Sequence, residues 1–134
     1  SIVDSINVLS TTEAAKKGTN QMLKRHPEIN VIVTFNEWTS LGVGYAVREK
    51  QLGDATTVVA FDSNVVSVGM LETGEVDALI VQNPYAMGYL AVENSYQLLN
   101  GLDMESDTVY TDSMLVTREN MYDDECQQLL FAFE

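Results

Sequence analysis

Cysteine is almost missing from this chain: Cys126 stands alone in 134 residues, so no intrachain disulfide can form. Its neighbours Asp123, Asp124 and Glu125 raise a thiol pKa instead of activating it, which makes it a structural or incidental residue. Positive charge is also scarce. Seven Lys and Arg face 20 Asp and Glu, a net charge of −13, and that balance repels a phosphate backbone and argues against nucleic acid as a partner. Residues 101–134 hold nine of the acids and one base, Arg118, which reads as a solvated acidic surface. No run approaches the ~18 to 20 apolar residues of a helical membrane span.

Catalytic patterns are lacking too. There is no G-x-S-x-G elbow, no Walker-type loop, no H-E-x-x-H and no Cys/His metal spacing. The one histidine, His26, stands at a helix end where it meets the helix dipole. The expectation is a protein that is not an enzyme and needs neither cofactor nor metal. An initiator Met and a basic-then-apolar leader are absent, and the chain opens in a strand-like stretch, so an upstream portion is expected.

What is present is a strand-then-helix rhythm. Residues 2–8 alternate loosely as a strand, and Ser10-Thr11-Thr12-Glu13 has the form of a capping box. A helix from about Thr11 to Arg25 follows, stopped at His26-Pro27. The run 29–35 is short, β-branched and unalternating, as a strand covered on both faces would be. Helical spacing resumes over 37–51 with Gly53 as its stop.

Residues 56–61 repeat the buried-strand pattern, a short helix spans about 65–73 with Gly74 behind it, and 77–81 form the next strand. Pro84 then sits in the first turn of a long helix over 84–99, ended by Asn100-Gly101. A strand over 109–116 and a short helix after Asn120 complete the reading. Alternation at this interval implies right-handed crossovers and an α/β fold, a three-layer sandwich with a mainly parallel sheet.

Three of these strands end on a polar side chain: VIVTF on Asn36, TVVAF on Asp62 and ALIV on Gln82. Ligands of open α/β sheets bind just outside the carboxyl ends of the strands, so the three converge on one crevice. Carboxylate and amide groups suit sugar hydroxyls, which both donate and accept hydrogen bonds. Trp38 offers a flat apolar face for the C–H side of a pyranose. Each residue also has a plain structural role available. Asn36 and Asp62 stand where helix N-caps stand, Gln82 precedes a proline turn, and Trp38 suits a packed sheet edge.

The blocks VIVTFNEWTSLGVGYAVREKQL, TVVAFDSN, GEVDALIVQNPYAMGYLAVENSYQLLNG and LVTREN resemble the C-terminal half of ribose/galactose-type periplasmic binding proteins. Lactose-repressor-like regulators share that fold in their effector domains. The resemblance runs to about residue 120. It implies sugar contacts at Asn36, Asp62 and Gln82, with further contacts from an N-terminal lobe. It also implies a central first strand before residue 1 and a helix after Gln82 that crosses to the other lobe.

The whole chain is then expected to be a C-terminal sugar-binding lobe, with 84–110 packing on an N-terminal lobe. The intact protein would be extracytoplasmic, close around a monosaccharide, and present the closed form to a membrane permease or receptor. An effector domain of a regulator, in the cytoplasm, is the competing expectation, and a fragment without retained ligand binding is a third. The uncovered helix also makes a homodimer by segment exchange an expectation.

Overall fold

The computed structural model describes residues 1–102, 106 and 108–131. Its elements are α1 (Thr12–Arg25), β1 (Val31–Val33), α2 (Glu37–Lys50), β2 (Thr57–Phe61), α3 (Val65–Thr73), β3 (Ala78–Gln82), α4 (Pro84–Leu99), β4 (Ser113–Thr117) and α5 (Asp124–Leu130). The four strands lie in the order β1-β2-β3-β4. The first three are parallel and β4 is antiparallel to β3. The mainly parallel sheet with flanking helices is the expected α/β architecture.

Register decides where the core sits. Ala60 lies beside Leu79 and Leu79 beside Val116, and side chains in register share a face of the sheet. That face, with Ile32, Val58 and Val81, is buried together with Leu41 and Val47 of α2, Met70 and Leu71 of α3, and Cys126 and Leu130 of α5. The opposite face is much wetter. Val31, Val33 and Leu115 are each about half exposed, at 53%, 49% and 54%. Burial therefore alternates along β1, where the unalternating sequence suggested cover on both faces. Among the described residues β1 has a free outer edge, and its second face lacks a helix.

Residues 2–8 form no strand, contrary to expectation. The segment runs along α1, with Ile6 and Val8 side chains at Gly18 and Asp4 bonded to Arg25 at 2.6 Å. No described strand offers it a ladder, and unpaired extended backbone is not a strand.

Helix ends show which small choices the chain makes. Thr11, not Ser10, caps α1, with its Oγ1 accepting the Ala14 N–H at 3.2 Å. At the end of α2 the left-handed residue is Gln51, at φ 56°, two positions before the anticipated Gly53. Gly53 is needed for a different reason: a Cβ there would sit 2.7 Å from the carbonyl oxygen of Gly74. Gly74 ends α3 as expected, at φ 90°.

Gly42 lets α1 and α2 touch. A Cβ at this position would meet Ala15 Cβ, with Lys16 N and Thr12 O each only 2.7 Å away. Backbone cannot swing aside, so Gly42→Ala is expected to destabilise the chain by about 1–3 kcal/mol through overpacking. Urea unfolding checks this, and a change of under about 0.5 kcal/mol would mean the two helices separate freely.

Helix α4 differs from the rest because none of its residues is buried. Tyr85, Tyr89, Val92 and Tyr96 are 58–73% exposed. Of the 84–110 segment, residues 103–105 and 107 lie outside the described residues.

A cleft at the carboxyl ends of the strands

Three asparagines cap the three helices that follow the parallel strands, and they determine which polar groups remain free. Asn36 Oδ1 accepts the Thr39 N–H at 3.0 Å at the start of α2. Asn64 Oδ1 accepts the N–H groups of Val66 and Ser67 at 2.8 and 2.9 Å, while Ser67 Oγ accepts the Asn64 N–H, a reciprocal box at the start of α3. Asn83 Oδ1 accepts the Ala86 N–H at 2.9 Å, with Pro84 in the first turn of α4. Capping thus falls to residues beside Asp62 and Gln82, whose side chains are left to face the crevice.

Asp62 and Gln82 line one cleft of about 470 Å³, with Glu37, Ser63, Asn64 and Phe131 among the other walls. The structure brings these two of the four sequence candidates together. Asn36 and Trp38 do not line the cleft. Asn36 is engaged as a cap and donates its Nδ2–H to Ser10 Oγ at 3.3 Å. Trp38 is half exposed on α2, at 51%.

The scaffold below the cleft is held by buried Ser40. Its Oγ accepts the Phe61 N–H at 3.1 Å and lies 2.7 Å from Thr34 Oγ1. This ties the first turn of α2 to the ends of β1 and β2, the strands that deliver Asn36 and Asp62.

Asp62 has a left-handed backbone at φ 63°. That conformation is costly for a residue with a Cβ, though Asp and Asn tolerate it best. Its N–H is bonded to Ile80 O at 3.0 Å, so β3 holds the turn that aims the carboxylate. Burial pushes the Asp62 carboxyl pKa up, and the nearby negative charge of Glu37 adds to this, while a bond from the Glu37 backbone N–H pulls the other way.

Glu37 is, with Ser63 and Asn64, one of the polar cleft residues that sequence reasoning missed. It reads as an ordinary acidic residue in a first helical turn. In space its Oε1 accepts Asn64 Nδ2–H at 2.6 Å, which carries a second carboxylate from α2 across to the α3 cap. The only available signal was its place directly after a strand-end Asn.

The linkage has a definite sign. Native Asp62 holds its proton more tightly than the unfolded chain does. Its favourable contribution is complete below the ordinary carboxylate range and is lost as pH rises through the native pKa. Glu37→Gln removes the like charge, so the Asp62 pKa should fall toward its ordinary value. Carboxyl-carbon NMR titration reads this directly, and an unmoved pKa would show that the two carboxylates do not sense each other.

Comparison with known proteins fits this geometry. Residues 1–103 match the family described as periplasmic binding protein domain. The chain belongs to that family. The ribose import binding protein RbsB of Bacillus subtilis (strain 168) is 28% identical over 80 residues, which are 60% of this chain and 26% of that protein.

A carbohydrate transporter solute binding protein of Agrobacterium radiobacter, solved with D-arabinose, is 30% identical with a TM-score of 0.84. The match covers 90% of this chain and 40% of that one. An ABC transporter solute binding protein of Agrobacterium vitis with bound D-fucose is 25% identical with a TM-score of 0.89, covering 97% and 44%. The chain therefore spans less than half the length of these relatives. The type I periplasmic binding protein fold read from the sequence is the fold observed.

Proposed function

We propose that this chain is the C-terminal lobe of an extracytoplasmic binding protein that closes on a monosaccharide and delivers it to a membrane permease or receptor. The observation that carries this reading is the pairing of Asp62 and Gln82 in one cleft at the strand ends, with Asn64 and Asn83 relieving them of capping. A carboxylate accepts two hydroxyl protons, and an amide both accepts and donates, which together match a pair of adjacent sugar hydroxyls. Glu37 adds a further acceptor on the same wall. Asn36 takes part from the rim if its amide exchanges the cap for the ligand, and Trp38 is available to a ring approaching over α2. Transport is favoured over the regulator reading by the relatives, which are described as import or transporter proteins.

Function on this reading is a population shift: the ligand binds the closed arrangement of two lobes more tightly and so selects it. The exposed stripe Tyr85, Tyr89, Val92 and Tyr96 on α4 is the face that meets the N-terminal lobe. A single lobe supplies part of the hydrogen bonds and cannot exclude water. Calorimetry of this chain with a panel of pentoses and hexoses should therefore return dissociation constants of about 1 mM or weaker. A low-micromolar constant would contradict closure by two lobes. No heat with any sugar, even at high concentration, would leave the chain as a fragment without ligand binding.

The same stripe drives self-association when no lobe covers it. Exchange of α4 between two copies, hinged at Gln82 to Pro84, is the low-cost route. Repulsion between the acidic chains is screened beyond about 8 Å at physiological salt, whereas apolar burial is not. Sedimentation across a concentration series should show a dimer that strengthens with salt, and a strict monomer at high concentration would rule the exchange out.

A further inference from the structure

All four lysines of this acidic chain, Lys16, Lys17, Lys24 and Lys50, line one groove between α1 and α2. The groove measures about 670 Å³, and its other walls are Glu13, Asn20, Gln21 and Glu49. The three arginines are occupied elsewhere: Arg25 with Asp4, Arg48 with Glu75 and Arg118 with Asp77. Lys16 is paired with Glu49 at 2.7 Å. Among the described residues, Lys17, Lys24 and Lys50 pair with no carboxylate, although the chain holds 20.

The helix dipole accounts for Lys24 and Lys50, which lie in the last turns of their helices. It does not account for Lys17, which stands in the first half of α1. Glu13, one helical turn before Lys17, and Glu49 offset part of this charge, and four lysines against two glutamates leave the groove net positive. Asn20 lies between Lys17 and Lys24, and its Oδ1 is buried with no hydrogen-bond partner.

We propose that this groove docks an acidic polypeptide segment of a partner protein. Lys17 and Lys24 are seven residues apart on α1, about 10 Å at the helical rise, too far for one phosphate to bridge. An extended peptide advances about 3.3 Å per residue, so acids three positions apart match that spacing. A long polyanion or an anionic membrane would face the rest of the chain, where acids outnumber bases, and be repelled. A short segment senses mainly the groove, because screening acts beyond about 8 Å.

The test is fluorescence anisotropy of a labelled poly-glutamate peptide with the intact chain. Saturable binding is expected at low ionic strength, weakening toward physiological salt. The triple variant Lys17→Gln, Lys24→Gln, Lys50→Gln should weaken it at least about tenfold, while Arg118→Gln, outside the groove, should not. The three lysines are exposed, so the circular dichroism spectrum should be unchanged, and Lys17→Gln alone gives a second, milder variant. Absent binding, or binding indifferent to the lysine variants, overturns the proposal. So does equal competition by inorganic phosphate, or preferential binding to phosphatidylserine vesicles.

Discussion

Asp62→Asn should weaken monosaccharide binding by about ten- to a hundredfold while leaving the fold intact. Asn keeps the shape and tolerates the left-handed backbone at φ 63°. It replaces an acceptor-only carboxylate with an amide, and hydrogen bonds to a charged partner contribute about 1.5–3 kcal/mol each. Stability should hold or rise, because the substitution removes a partly desolvated charge beside Glu37. Calorimetric titration at high sugar concentration, paired with urea unfolding of the same variant, separates the two effects. Undiminished sugar binding would remove Asp62 from the site.

The largest effect on stability is expected from Leu79→Ala. Leu79 is fully buried on the central strand β3, between Ala60 of β2 and Val116 of β4. Truncation loses the transfer free energy of the side chain and leaves a cavity whose walls are strands that cannot collapse inward, a cost of about 2–5 kcal/mol. Domains of this kind are stable by only about 5–15 kcal/mol. The urea midpoint should fall steeply with the slope unchanged. A loss below about 1 kcal/mol would mean that the sheet core is not packed as described.

The repeating architecture was legible because local chemistry and long-range packing agree. Short β-branched runs, Pro84 in a first turn and Gly74 behind a helix each specify one local outcome, and the sheet confirms it. The failures share a cause. Residues 2–8 carry a strand pattern, but a strand is made by its partner, and the sequence of one segment does not contain the other. The unalternating run at β1 implied cover on both faces, yet cover belongs to neighbouring elements, and Val31 and Val33 remain half exposed.

The site divides in the same way. Topology places strand ends together, so Asp62 and Gln82 were visible as a pair. Whether a strand-end Asn faces ligand or caps its helix depends on whether another cap stands nearby. Asn64 and Asn83 provide one for α3 and α4, and nothing does so for α2, which leaves Asn36 capping its own helix. Glu37 was hidden because its role rests on a contact with Asn64, 27 positions away in the chain.

The central claim is that the cleft at the strand ends receives a monosaccharide. Amide chemical-shift mapping of the isotopically labelled chain, titrated with D-arabinose to high concentration, tests it most directly. The predicted result is a saturable set of shifts at Glu37, Ser63, Asn64 and Gln82, with Lys17 and Lys24 on the far groove unmoved. Shifts confined to other surfaces, or none at the highest concentration, would contradict it.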